Sequence, residues 1–128
     1  MLKTLIVDDN RLNRDTFKGL LTRYFSSMIV EEASDGKEAM EKVGSFQPDL
    51  ILMDIRLPDA SGLELTKKIK MTSSNVRILV MTGHHYPEYQ ETAVQYGADG
   101  FFVKGGSGEE ILAMVESFFP EARESNIA

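Results

Sequence analysis

The sequence predicts a doubly wound α/β fold, an open parallel sheet with helices on both faces. Two observations carry that expectation. Short apolar runs alternate with stretches of helical period five times along the 128 residues. The runs are apolar at consecutive positions rather than at every second one, as strands buried on both faces require. Right-handed crossovers restrict the topology, and a five-stranded three-layer (βα)5 sandwich of strand order 2-1-3-4-5 is the leading solution.

The elements come in chain order. Thr4–Val7 reads as the first strand, and Phe17, Leu20, Leu21 and Tyr24 recur at helical spacing after it. Met28–Glu32 is the second strand. A helix starting at Asp35 then places Ala39, Met40, Val43 and Phe46 on one face. Leu50–Met53 is the third strand, followed by a helix carrying Leu63 and Ile69. Ile78–Met81 is the fourth, and its helix runs from about Pro87 to Tyr96, stopped by Gly97. Gly100–Val103 is the fifth, and Ile111, Leu112, Val115 and Phe118 mark a last helix stopped by Pro120. Three helix starts resemble capping boxes: Asp35-Gly36-Lys37-Glu38, Ser61-Gly62-Leu63-Glu64 and Ser107-Gly108-Glu109-Glu110. In each, the first side chain is expected to accept from a backbone N–H near the third helical residue. The Glu is expected to return to the cap's own N–H.

This length makes one domain, residues 1–120, with a short polar tail from Glu121 to Ala128 that is expected to fray and can begin a linker. With no cysteine there is no disulfide and no thiolate metal site. Met1-Leu2-Lys3-Thr4 leads straight into a strand, unlike a signal peptide, and no apolar run reaches the roughly 20 residues of a membrane span. A cytoplasmic location is expected. The net charge of −6 and the absence of a basic run argue against direct nucleic-acid binding and against an anionic membrane partner.

The chemistry sits where strands end. Parallel strands align their carboxyl ends along one edge, and ligands bind in the crevice there. The first strand runs into Asp8-Asp9, the third into Asp54, the fourth into Thr82-Gly83 and the fifth into Lys104. The predicted switch point lies between strands one and three, which brings Asp8 and Asp9 beside Asp54. Three carboxylates there repel one another and raise one another's pKa, and a divalent cation relieves that repulsion. An all-oxygen donor set favours Mg²⁺ or Mn²⁺ over Zn²⁺. Asp9 and Asp54 can ligate directly, with Asp8 acting through water. Asp54 is the candidate nucleophile, because a carboxylate can form an acyl phosphate. Lys104 offers a compact charged donor, Thr82 a hydroxyl, and Gly83 space and a backbone N–H. Each residue alone has a plainer reading: a helix cap for Asp8 or Asp9, a surface ion pair for Lys104, a strand-end threonine for Thr82. Their joint placement at matching strand ends outweighs those.

These same residues resemble the receiver domain of bacterial two-component response regulators. The resemblance lies in Asp8-Asp9, Asp54 in ILMDIRLPDASGLEL, Thr82-Gly83 in ILVMTGH and Lys104 in GFFVK, and covers about Lys3 to Phe119. It implies a flavodoxin-like fold with Asp54 as phosphoacceptor. Mg²⁺ is then held by Asp9, Asp54 and the backbone carbonyl of Arg56, assisted by Asp8. Thr82 and Lys104 contact the phosphoryl oxygens. The implied donor is a phosphohistidine on a sensor histidine kinase or histidine phosphotransfer protein. Phe101 falls at the family's switch aromatic, which turns inward as Thr82 moves toward the phosphoryl group. Arg56 and His84 flank the attacking water and are expected to tune the lifetime of the acyl phosphate. The face of helix four, strand five and helix five is the family's output or dimerisation surface. It implies an output partner or a phosphorylation-dependent homodimer, with Tyr89, Tyr96 and Phe119 as contributors. The family usually has proline after the strand-five lysine, often in cis. Gly105-Gly106 stands here, so a trans and more mobile Lys104–Gly105 link is expected.

Other readings fare worse. A nucleotide or flavin domain needs a Gly/Ser/Thr-rich loop after strand one, where this chain has Asp8-Asp9-Asn10. An aspartate-nucleophile hydrolase of the haloacid-dehalogenase type wants a second Asp two residues after the first, where Arg56 stands. His84-His85 diverge as neighbours and lack a third nitrogen ligand. A degenerate receiver serving only as a docking module would be expected to have lost some of these acids or the lysine. Enzymatic turnover of a metabolite is not expected; the chain would catalyse only its own phosphorylation and dephosphorylation.

Overall fold

In the computed structural model, which describes residues 1–122, the five strands form one parallel sheet of order β2-β1-β3-β4-β5. The strands are β1 (Lys3–Val7), β2 (Ile29–Ala33), β3 (Leu50–Asp54), β4 (Arg77–Thr82) and β5 (Gly100–Val103). The helices are α1 (Arg11–Tyr24), α2 (Gly36–Phe46), α3 (Gly62–Thr72), α4 (Pro87–Gln95) and α5 (Gly108–Phe118). The topology is the expected one. Strand β2 begins and ends one residue later than its apolar pattern suggested.

Side chains alternate across the sheet because successive Cβ atoms of a strand point to opposite faces. Leu5, Val7, Ile51, Met53, Ile78 and Val80 pack beneath α2, α3 and α4 through Ala39, Leu65, Ile69 and Ala93. Ile6, Leu50, Leu52, Leu79, Met81 and Phe102 face α1 and α5 through Phe17, Leu21, Ile111 and Val115. All five residues of β3 are buried. A strand packed on both faces has no polar side to expose, hence the unbroken run Leu-Ile-Leu-Met. Register then aligns the business ends: Val7 lies beside Met53, Asp54 beside Met81, and Thr82 beside Val103.

Helix starts fix where the loops end. Asn10 caps α1 by accepting from the Asn13 N–H, so neither Asp8 nor Asp9 does that work. Asp35 accepts from the Glu38 N–H as expected. The reciprocal half of the box differs, because the Glu38 carboxylate takes the N–H of Ser34, one residue before the cap. Ser61 and Ser107 accept from Leu63 and Glu109, one residue earlier in each helix than expected. With that donor taken, these two starts are simple serine caps. Helix α5 ends at Phe118, and the Ala122 N–H then donates to the Phe119 carbonyl. The chain therefore makes a further helical turn at Pro120, with Ala122 against the α1/α5 core. The remainder of the expected tail, 123–128, lies outside the described residues. All described peptide bonds are trans, including Lys104–Gly105, and Gly105 takes φ +90°.

Candidate functional site

The three acids meet at the carboxyl edge of the sheet. One carboxylate oxygen from each of Asp8, Asp9 and Asp54 lies within 4.8 Å of the others, and no other such group occurs among the described residues. Asp8 is fully buried and Asp54 nearly so, while Asp9 faces solvent. Lys104 reaches across the edge from the end of β5. Its Nζ donates to Asp8 Oδ2 at 2.7 Å and stands 3.2 Å from Asp54 Oδ2. One ammonium thus serves two buried carboxylates.

Asp8 is held on every side. Its N–H donates to the Ala33 carbonyl, its Oδ1 accepts from the Asn10 N–H, and its carbonyl accepts from Arg14 Nη1 at 2.7 Å. Asp54 is held by the loop after it. The Ile55 N–H donates to Met81, and the Gly62 N–H returns to the Ile55 carbonyl at 2.7 Å. A β-carbon at Gly62 would run into the Asp54 carbonyl, so only glycine lets α3 start this close. Asp59 on the same loop accepts from the Gly36 and Lys37 N–H groups at the start of α2. Those bonds, Gly36 first, hold its carboxyl below the usual range.

Electrostatics set Asp54 apart. Burial pushes its pKa up, and the Asp8 charge adds to that. The Lys104 charge, the Lys104 hydrogen bond and the Arg56 N–H pull it down without reversing the shift. The site carries more negative charge than its lysine offsets, which is the condition under which a cation binds.

The other expected residues differ in exposure and in partners. Thr82, fully buried at the end of β4, donates to the His84 carbonyl at 3.0 Å and accepts from the His84 N–H. Gly83 is exposed, with open space where a side chain would stand. Arg56 is exposed, and its Nη2 lies 3.3 Å from the Tyr89 hydroxyl. His84 stacks on Tyr86, which meets Tyr89 edge-on. Phe101 is half-buried on the α4 side of the sheet. Of the aromatics proposed for the output face, Tyr96 turns to α3, bonding Glu64 and sitting under Lys67. Phe119 packs into the α1/α5 core. Aromatics at helical spacing were spent on packing, and the large exposed apolar side chains of that face are Tyr86 and Val94.

The profile of the response regulator receiver domain matches residues 4–116. The chain belongs to this family. The response regulator UvrY of Escherichia coli (strain K12) is 31% identical over 96% of this chain and 56% of its own length. A CheY-like receiver domain protein from Methanospirillum hungatei JF-1 superposes with a TM-score of 0.86 at 27% identity, covering 98% of each chain. A response regulator from Burkholderia pseudomallei, solved with a phosphorylated aspartic acid, calcium ion and citrate, gives 0.82 at 28% identity over 98% of this chain and 73% of that one. The chain spans between 35% and 58% of the length of curated relatives it matches. No described helix is long and apolar enough to cross a membrane.

The site roles of Arg14, Asp59 and Gly62 escaped the sequence reading. Arg14 had a signal: it stands one turn before Phe17 and two before Leu21, a charge on the buried stripe of α1. Asp59 had none, since its partners lie on another element.

Proposed function

We propose that this receiver domain is a phosphorylation-gated switch with Asp54 as the phosphoacceptor. The observation that carries the proposal is three carboxylates sharing one edge with a single lysine. Asp8, Asp9, Asp54 and the Arg56 carbonyl would hold the ion, and Mg²⁺ or Mn²⁺ there supplies charge neutralisation for the phosphoryl oxygens. An Asp54 carboxylate oxygen forms the new bond to phosphorus while the N–P bond of a kinase or phosphotransfer phosphohistidine breaks. The leaving imidazole keeps that electron pair and takes a proton. Burial keeps Asp54 poorly solvated, and the Lys104 charge favours its ionised, nucleophilic form. Hydrolysis reverses the change, with water attacking phosphorus and the Asp54 carboxylate leaving.

The switch turns on what Thr82 must give up. Its hydroxyl is engaged with His84, and turning to the phosphoryl group breaks that bond. The vacated side of β4 lets Phe101 rotate inward. The readable change falls on a shallow pocket of about 510 Å³ lined by His85, Gln90, Phe101, Lys104, Gly105 and Glu110, where an output partner or a second copy of the chain would dock. Arg56 and His84 border the path of the attacking water and set the lifetime of the phosphorylated state.

Incubation with Mg²⁺ and a small acyl-phosphate donor, with intact-mass measurement afterwards, tests this. The expected result is a gain of one phosphoryl group that Asp54→Asn abolishes. A wild-type mass that never changes leaves a docking module whose acidic site is vestigial. Once the donor is removed, Arg56→Ala and His84→Ala should alter the decay of the mass gain, and unaltered decay removes them from the mechanism.

A further inference from the structure

We propose that Arg14, oriented by Glu32, is a positioning residue that sets the geometry of the two N-terminal acids toward the metal. The inference rests on the reading of the acidic cluster as a divalent-cation site.

Arg14 lies on the inward stripe of α1 with a side chain only 15% exposed. Its Nε donates to Glu32 Oε1 at 2.9 Å, and its Nη1 donates to the Asp8 carbonyl at 2.7 Å. Glu32 stands on β2 beside Ile6, so the fork is braced from the neighbouring strand. Lys18 Nζ, 3.8 Å from the other Glu32 oxygen, braces it again. A guanidinium is rigid and planar, so fixing one edge on Glu32 fixes the direction of the other.

The atom it holds is what matters. The Asp8 carbonyl belongs to the peptide that joins Asp8 to Asp9. Rotation of that peptide would swing the Asp9 side chain while Asp8 stayed in place. Asp8 is already fixed by Ala33, Asn10 and Lys104. Asp9 is exposed, so the orientation of its peptide carries most of the control over where its carboxylate points. The loss of Arg14 would leave the Asp8 carbonyl without this donor beside a fully buried side chain, and the peptide would turn to find another. Outer groups of this kind cost about 10- to 100-fold in metal affinity when removed.

A bare charge effect has the opposite sign. A cation beside a metal site repels the metal, so deleting it for charge reasons alone tightens binding. Positioning predicts weaker binding.

The test is Mg²⁺ titration of the full chain monitored by ¹H–¹⁵N NMR of the amides of residues 8–10, with Asp9→Asn as control. Arg14→Gln is expected to bind Mg²⁺ about 10-fold more weakly, and Arg14→Lys, which keeps the charge and one donor but not the planar fork, to fall between that variant and wild type. Arg14→Gln binding as tightly as wild type, or tighter, overturns the proposal. If that variant does not fold, Glu32→Gln at about 0.5 M salt replaces it, where the Coulomb effect of the lost carboxylate is largely screened. Weakening of about threefold or more supports the proposal and unchanged affinity overturns it. A wild type that does not saturate, or that matches Asp9→Asn, defeats instead the reading of the cluster as a metal site, and this inference with it.

Discussion

Two aspartates of this chain stand in nearly the same surroundings and respond in opposite ways. Asp54, at the carboxyl edge of the sheet, has an 8% exposed side chain and Lys104 at 3.2 Å. Asp99, at the opposite edge where β5 begins, has a 15% exposed side chain and Lys70 at 2.7 Å. Burial is the largest influence on both and pushes both upward. At Asp99 the Lys70 and Arg77 donors and the Ile78 N–H more than offset it, and its carboxyl falls below the usual range. At Asp54 the single lysine is divided with Asp8, and the carboxyl rises. The ratio of donors to acids, rather than depth, separates a knot that stabilises the fold from a site left in need of a partner.

The largest effect should come from removing the lysines. Without added metal, Lys104→Met leaves two buried carboxylates unpaired and should cost about 3 kcal/mol in urea unfolding. Lys70→Met leaves Asp99 with Arg77 and a backbone donor, so about 1 kcal/mol is expected. Equal losses would erase the distinction between the two ends.

The next contrast is one of sign. Asp54 carries a folded pKa above its ordinary value. Its favourable contribution is therefore present below the ordinary carboxylate pKa and lost as pH rises through the folded one. Asp54→Asn removes this buried acid and should raise stability at pH 7, on the order of 1 kcal/mol. Asp99 is the reverse case. Its contribution is present above the ordinary carboxylate pKa and lost as pH falls through its lowered folded value. Asp99→Asn should cost about 2 kcal/mol at pH 7, with the gap closing in acid. Thermal unfolding between pH 3 and 7 reads both, and two variants shifting in the same direction would refute the account.

Most of this contrast was half visible in the sequence. The sheet order and the strand-end acids could be read because buried parallel strands leave unbroken apolar runs, and each run points to the polar residue at its carboxyl end. Leu50–Met53 led to Asp54 in this way, and Phe101–Val103 to Lys104. The sharing of Lys104 between Asp8 and Asp54 could not be read, because it depends on a reach of 96 residues. The Asp99 knot was hidden likewise, its three partners coming from α3 and β4. The capping serines were legible, but which N–H each accepts depends on a rotamer.

A modest effect is the most diagnostic. If the carboxyl edge lacks positive charge and the Asp99 end does not, Mg²⁺ should stabilise only through the former. At about ten times its Kd, a ligand specific to the folded state adds about 1.4 kcal/mol, or roughly 5 °C in a domain of this size. The Asp99→Asn protein should gain that full increment above its lower starting point, because its lesion lies at the far end of the strands. Asp9→Asn and Asp54→Asn, each short of a carboxylate at the site, should gain little. A net charge of −6 also draws divalent ions diffusely to the surface. That attraction is screened at about 0.15 M salt and does not distinguish one aspartate from another. Equal Mg²⁺ shifts in all four proteins would therefore mean that the ion reads total charge, and the cluster at the carboxyl edge would have no special claim on it.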